Sequence, residues 1–483
     1  MSNNLEYKNP LQIRIAEPHE VPGELVIHLD YAAKKTLLGS PGKRVGDLLI
    51  IKTALGGHEI IVSLGEQEKC TSNTFRQAGG SLARWLKKSG AVTADIHHIE
   101  FDKFPIKDAF SAFCEGLLLG AFEFNRYKSK DSSTADVTVR VFCKDETALV
   151  VQTIQKATIL TNAVNLEREW AHEPGSVINP VTLAERAQIL AQKYALKCTI
   201  LDEKVLSEMK AGGILAVGQG SKTPPRMIIL EYPGKNPQEK PIVLIGKAIT
   251  FDTGGYSLKN TTSIQGMKYD KCGGLTVIAI LQAVAVLQLP IPLVGIIAAA
   301  ENMISADSYR PDDIITTLSG KTIEIITTDA EGRLLLSDAL TYAQKTYHPR
   351  AMIDIATLTG GVITALGRVR AGIMSNNKEL AARLVEAGEK TFEKLWQLPL
   401  DEEYLESIKG DEADLKNAGT PGEASTITGG IFLKQFVDDH CPWAHLDIAG
   451  VADTPKETPL SPKGATGFGI RLLIKYFESL SDE

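Results

Sequence analysis

Residues 275–300, LTVIAILQAVAVLQLPIPLVGIIAAA, are almost wholly apolar, and any fold of this chain must take them out of water. A membrane span is the first option to test. Gln282, Gln288, Pro290 and Pro292 interrupt the run. A single helix through both prolines would lose backbone hydrogen bonds that lipid cannot replace. The stretch therefore reads as a buried helix up to about Gln288, a turn, and a buried strand from about Leu293. A helix and a strand that are apolar all round belong in a mostly parallel sheet covered by helices on both faces.

The same alternation recurs along the second half. Short apolar runs at Met227–Glu231, Ile242–Ile245, Leu293–Ala298, Ile323–Ile326, Met352–Ile355 and His445–Ile448 read as strands of that sheet. Leu336, Ala339, Leu340 and Ala343 form a helical stripe between two of them. In the first half, Leu25–His28, Asp47–Ile51, Ile60–Val62, Ile96–Phe101 and Val137–Phe142 read as strands, and Ser72–Ser89 and Ala109–Phe122 as helices. Ile159, Ala163, Leu166 and Trp170 mark a connecting helix that breaks near His172-Glu173-Pro174-Gly175. At about 150 residues per domain, 483 residues allow three domains or two large ones. The pattern gives two: a smaller N-terminal α/β domain over 1–150, a linker helix over 151–173, and a larger C-terminal α/β domain over 174–483 with a central, mostly parallel sheet flanked by helices.

Composition excludes some classes of function. Hydrophobic residues make up 43% and charged residues 23%, as in ordinary globular proteins rather than disordered ones. The net charge of −7 argues against nucleic acid or an anionic membrane as the main partner, since both need a clustered positive field. Cys70, Cys114, Cys143, Cys198, Cys272 and Cys441 show no CxxC spacing and read as reduced thiols. Met1–Glu17 has no apolar segment preceded by positive charge, so a cytoplasmic location is expected.

Polar residues collect where strands end. Ile242–Ile245 runs into Lys247-Ala248-Ile249-Thr250-Phe251-Asp252-Thr253-Gly254-Gly255, Leu293–Ala298 into Glu301-Asn302, Ile323–Ile326 into Asp329-Ala330-Glu331-Gly332-Arg333, and Met352–Ile355 into Thr357-Leu358-Thr359-Gly360. Sites in open α/β sheets form outside the carboxyl ends of strands, so these loops are expected to share one pocket. Asp252, Asp270, Asp329 and Glu331 would crowd there and repel unless neutralised. Divalent cations neutralise such a group well. Lys247, Lys259 and Arg333 lie in the same loops. Asp329 and Glu331, two apart, would point the same way in extended chain. Asp-Ala-Glu-Gly alone reads equally as the start of a helix, whose positive dipole end favours acids. Gly320-Lys321-Thr322 lacks the first glycine of a P-loop, because position 315 is Ile. HExxH and GxSxG do not occur, and the nine histidines are scattered, so a histidine-based zinc site is not expected. His445, in an apolar strand, reads as a core histidine.

Thr328-Asp329-Ala330-Glu331-Gly332-Arg333-Leu334 resembles the NTDAEGRL signature of the leucyl aminopeptidase (cytosol aminopeptidase) family. Gly246-Lys247, Thr250-Phe251-Asp252-Thr253-Gly254-Gly255, Lys259 and Asp270 are similar to that family's metal-binding segment. Val217–Ser221, Glu301–Met303, Asp354–Gly360, Trp443–Gly450 and Gly464–Gly467 follow in the family's order. The first 150 residues carry no such motif.

The resemblance implies a dinuclear-metal exopeptidase that removes Leu or another apolar residue from peptide N-termini. Two divalent ions, Mn²⁺ or Zn²⁺, would be held by Asp252, Asp329 and Glu331 and by Lys247, Asp252, Asp270 and Glu331, with a hydroxide shared between them. Lys247 would have to ligate as a neutral amine. Lys259 would stabilise the oxyanion, and Arg333 would hold a bicarbonate proton relay. Leu358 would line the substrate backbone, and Met267, Thr357 and Gly360 the pocket for the first side chain. A homo-hexamer working in peptide catabolism, with the N-terminal domain serving assembly or regulation, follows from the same resemblance. Lys271, beside Asp270, departs from the family pattern; a cation there would weaken metal binding or face away. The rival readings are a binding protein that kept the fold without the activity, and a secondary nucleic-acid role that the charge disfavours.

Overall fold

In the computed structural model the chain divides into two units, Glu6–Asn165 with Pro455–Gly464, and Leu166–Thr454 with Ala465–Glu483. The residues described are 7–17, 19–31, 42–53, 56–97, 104–129, 136–143 and 147–481.

The smaller unit holds strands β1 (Leu11–Ile15), β2 (Leu25–Asp30), β3 (Leu48–Lys52), β4 (His58–Ser63), β5 (Thr93–His97) and β6 (Val137–Phe142). Their order is β1-β6-β5-β2-β4-β3, and every neighbouring pair is parallel except β3 with β4. Of the strand expected at Ile96–Phe101, residues 98–101 lie outside the described residues. The sequence reading gave no strand at β1. Helices α1 (Ser72–Ser89) and α2 (Ile106–Gly120) pack Phe75, Phe110 and Phe113 into the core. Helix α3 (Thr147–His172) follows, with Ala163, Leu166 and Trp170 buried.

The larger unit contains β7 (Lys197–Leu201), β8 (Arg226–Tyr232), β9 (Ile242–Asp252), β10 (Leu293–Asn302), β11 (Ile314–Thr316), β12 (Thr322–Glu324), β13 (Ala351–Ala356), β14 (Ala371–Ser375), β15 (Leu395–Gln397), β16 (Leu415–Lys416) and β17 (Trp443–Asp447). Eight of them form the main sheet in the order β15-β14-β17-β13-β9-β10-β8-β7. The central strands β17, β13, β9 and β10 run parallel, and the antiparallel pairs lie toward the edges. β9 is buried at nearly every position, as a strand covered on both faces must be.

One strand expectation needs correcting. The run Ile323–Ile326 yields β12, which belongs to a separate three-stranded sheet with β11 and β16. Three paired residues are too few to cross the main sheet, and Ile326 is 43% exposed.

The apolar stretch 275–300 becomes the buried helix Cys272–Leu287, a turn, and β10. This helix meets the sheet at its first turn. A Cβ on Gly273 would stand 2.2 Å from the Ile355 carbonyl oxygen, and one on Gly274 2.7 Å from the Ala248 methyl. The glycine pair lets backbone touch backbone directly behind Lys247.

A second helix, Glu331–Tyr347, packs on the opposite face. Its Leu336, Ala339, Leu340 and Ala343 stripe enters the core with Val243, Ile245 and Met352. Asp338, fully buried on this helix, accepts the backbone N–H of Ile214 at 2.9 Å and of Leu318 at 2.7 Å. Its Ala replacement orphans two donors, at about 1–3 kcal/mol each. Asp338→Ala is expected to lower stability by about 2–6 kcal/mol in urea denaturation.

Candidate metal centre

The site is built where β9, β10 and β13 end and two helices begin. Asp252 closes β9. One of its oxygens accepts the Gly254 N–H at 2.9 Å and the Asn302 side-chain N–H at 2.8 Å, and Asn302 closes β10. Gly255, at φ +63°, turns the chain so closely that a Cβ would stand 2.7 Å from Thr328 Oγ1. That turn brings Ser257 and Thr328 into reciprocal hydrogen bonds and sets Lys259 beside the acids.

Asp329 and Glu331 do not lie in extended chain. Ala330 caps the Glu331–Tyr347 helix and Glu331 is its first residue. The structure nevertheless brings them together: oxygens of Asp252, Asp329 and Glu331 lie within 4.8 Å of one another. Asp270 arrives from the short turn Met267–Lys271, which immediately precedes the Cys272–Leu287 helix.

Two lysines thread this group. Lys247 Nζ reaches Asp270 and Glu331, each at 2.8 Å, and donates to the Thr357 carbonyl at 2.9 Å. Lys259 Nζ reaches Asp252 at 2.8 Å and also contacts Asp329. Burial alone would lower both lysine pKa values, but the neighbouring acids outweigh it and hold both above the usual range. Without ions these acids favour the protonated form of Lys247; the neutral amine expected of a ligand concerns the metal-loaded site. Desolvation, together with repulsion from Asp252, pushes Glu331 and Asp270 upward despite Lys247.

The donor set fits divalent cations. Two ammonium groups face four carboxylates, leaving two negative charges uncompensated. The second oxygen of Asp270 is buried and has no hydrogen-bond partner. Among the described residues, the three-acid cluster offers hard oxygen donors at ligand spacing.

Arg333, one helical turn into the site, is buried, with its guanidinium over the Phe432 ring. It donates to the Asn417 carbonyl at 2.8 Å, while Nε has no partner. Burial lowers its pKa to about 10. Beside the acids, Thr357 donates to Asp270 at 2.6 Å, and Asp447 accepts from the Leu358 N–H at 3.2 Å and the Thr359 hydroxyl at 2.6 Å. Gly360 starts the next helix with open space around it, and Met267 begins the Asp270 turn.

Sequence reasoning gave no role to Asn302, Asn417 or Asp447. Each acts across 50 to 89 residues of chain; Asn302 and Asp447 lie in the family-like segments Glu301–Met303 and Trp443–Gly450, which hinted at the place but not at a role. His445 is buried, with Nδ1 hydrogen-bonded to Asp354 at 2.5 Å and Nε2 without a partner, so it is satisfied on one side only.

Comparison with known proteins follows the same division. Residues 165–474 match the catalytic domain of the cytosol aminopeptidase family, and residues 58–131 match its N-terminal domain. A probable cytosol aminopeptidase of Syntrophotalea carbinolica is 43% identical over 90% of this chain and 88% of its own. One from Geobacter sulfurreducens is 43% identical over 87% of this chain and 84% of its own. Among solved structures, the bottromycin maturation enzyme BotP in complex with Mn is 29% identical, with a TM-score of 0.87 over 95% of this chain and 99% of that one.

The Asn302 amide sets the orientation of Asp252 and is itself fully buried. Losing such a supporting hydrogen bond typically costs 10–100-fold in metal affinity. Isothermal titration of Asn302→Leu with Mn²⁺ is expected to show a loss of about that size.

Proposed function

The chain belongs to the cytosol aminopeptidase family, whose members are metal-dependent aminopeptidases hydrolysing peptides, and on that premise we propose how its own residues carry the reaction. The observation that supports the reading most is the meeting of Asp252, Asp270, Asp329 and Glu331 around Lys247 and Lys259. We propose that Asp252, Asp329 and Glu331 hold one divalent ion, and that Lys247, Asp252, Asp270 and Glu331 hold a second, Mn²⁺ or Zn²⁺. When bound, the ions supply Lewis acidity toward water and the scissile carbonyl.

The protein's groups do the rest. Lys247 gives up its proton to act as a donor, so loading the site releases protons. Lys259, at the rim with 14% of its side chain exposed, is the free cation of the site once the acids have other partners. Its ammonium donates to the carbonyl oxygen as negative charge develops there. Arg333, with its unpartnered buried Nε, holds an anion of bicarbonate type that supplies a proton acceptor. Thr357–Gly360 is fixed between Asp270 on one side and Asp447 on the other, which suits it to align an extended peptide backbone. Met267, Thr357 and Gly360 border the space for the first side chain, and Leu or another apolar residue is the proposed preference. A cytoplasmic homo-hexamer, with the smaller unit serving assembly or regulation, rests on the family resemblance alone; light scattering on the purified protein tests the assembly.

Hydrolysis of leucine p-nitroanilide is expected with Mn²⁺ or Zn²⁺ present and lost on chelation. Glu331→Ala removes a shared ligand, and its retention of full activity would sink the mechanism. Lys259→Ala is expected to lower kcat about 10²–10³-fold, the scale of one lost oxyanion donor, while metal content measured by mass spectrometry stays near wild type. Equal loss of metal and turnover would contradict the role given to Lys259.

A further inference from the structure

The turn Met267–Lys271 sends Asp270 into the site and its neighbours the other way. Lys271 is fully buried. Its Nζ donates to three backbone carbonyls: Ala171 at 3.1 Å, Glu173 at 3.0 Å, and Lys268. Lys268 Nζ donates to the His172 carbonyl at 2.6 Å, and the Tyr269 ring meets the His172 ring edge-on at 5.5 Å. Ala171 and His172 end helix α3, and Glu173 follows it.

A helix leaves its last four carbonyls without intrahelical partners, and they carry partial negative charge. Here three consecutive ones, at 171, 172 and 173, are taken by two lysines of one turn. A 3₁₀ turn has poor internal hydrogen bonds and little stiffness of its own. Inside the site, Asp270 is held through one oxygen only, by Lys247 and Thr357. The position of that carboxylate is thus set mainly by the anchoring of the turn behind it. Lys271 Nζ is turned away from the site: it is spent on two carbonyls at the helix end and on the Lys268 carbonyl of its own turn.

We propose that Lys271, assisted by Lys268, is a positioning residue that fixes Asp270 and thereby sets the affinity of the second cation position, the one assigned to Lys247, Asp252, Asp270 and Glu331. This rests on the two-metal reading given above. The departure from the family pattern is then no repulsive intruder beside a ligand. It is an amine turned away from the metals and hydrogen-bonded to a helix terminus.

The test is titration of the metal-stripped, full-length protein with Mn²⁺, followed by calorimetry and electron paramagnetic resonance. Wild type is expected to bind two ions. Lys271→Met is expected to keep the first and weaken the second about 10–100-fold, with circular dichroism unchanged. Lys268→Met, which cuts only the His172 link, is expected to shift the second ion less but in the same direction. Unchanged binding of both ions by folded Lys271→Met, or an equal loss of both, would overturn the proposal. Should Lys271→Met fail to fold, Lys268→Met decides: an unaltered second affinity overturns it. A wild type that binds fewer than two ions refutes the two-metal reading instead.

Discussion

Asp252, Asp329 and Glu331 bring carboxylate oxygens within 4.8 Å of one another, Asp270 joins them through Lys247, and three of these four acids are almost wholly buried. Each pair of like charges at about 4 Å costs several kcal/mol at the effective dielectric of a protein. Lys247 and Lys259 offset part of this, and the remainder favours a bound dication. The rest of the site follows from that constraint. Neutral donors, Asn302, Thr357 and the Gly254 amide, bond one oxygen each of Asp252 and Asp270 without adding charge. Each therefore orients a carboxylate while leaving one face open to a cation.

Holding such a group requires a frame that does not yield. The frame is the parallel centre of the sheet, where β9 lies between β10 and β13 and is covered on both faces. Lys247 sits on β9 with Gly273 and Gly274 packed directly behind it, so the lysine and the Asp270 turn share one rigid contact. The Glu331–Tyr347 helix packs on the opposite face through its apolar stripe, and its first turn delivers Glu331 and Arg333. The geometry of the acid cluster and the core packing are here the same set of contacts, seen from two sides.

The elements legible in the sequence were those whose periodicity is local. The helix–turn–strand reading of 275–300 and the helix at Ser72–Ser89 needed only spacing and two prolines. Partner choice was not legible. Ile323–Ile326 has the composition of a central strand, yet its neighbours are Ile314–Thr316 and Leu415–Lys416 in another sheet. Strand β15, three residues long and mostly exposed, lies at the edge, where so short a run looks like a loop. The acids and lysines were legible because they cluster in strand-end loops. Asn302, Asn417 and Asp447 were not, since a neutral amide or a lone acid far along the chain announces no partner.

The segment Asp329-Ala330-Glu331-Gly332 shows why structural and functional readings of one motif need not compete. Glu331 is the first residue of a helix, where unpaired backbone N–H groups and the macrodipole favour negative charge. That field offsets part of the cost of burying Glu331 between Asp252 and Asp270. Without an ion, desolvation and repulsion from Asp252 still outweigh that help and hold the Glu331 pKa up. The C-terminal end of α3 mirrors this helix start, since there the unpaired carbonyls receive the amino groups of Lys268 and Lys271. One helix terminus presents an acid to the site and another anchors the turn that presents the next. In a chain with nine histidines and none among the proposed ligands, helix ends thus support a cluster of charge that side chains alone would push apart.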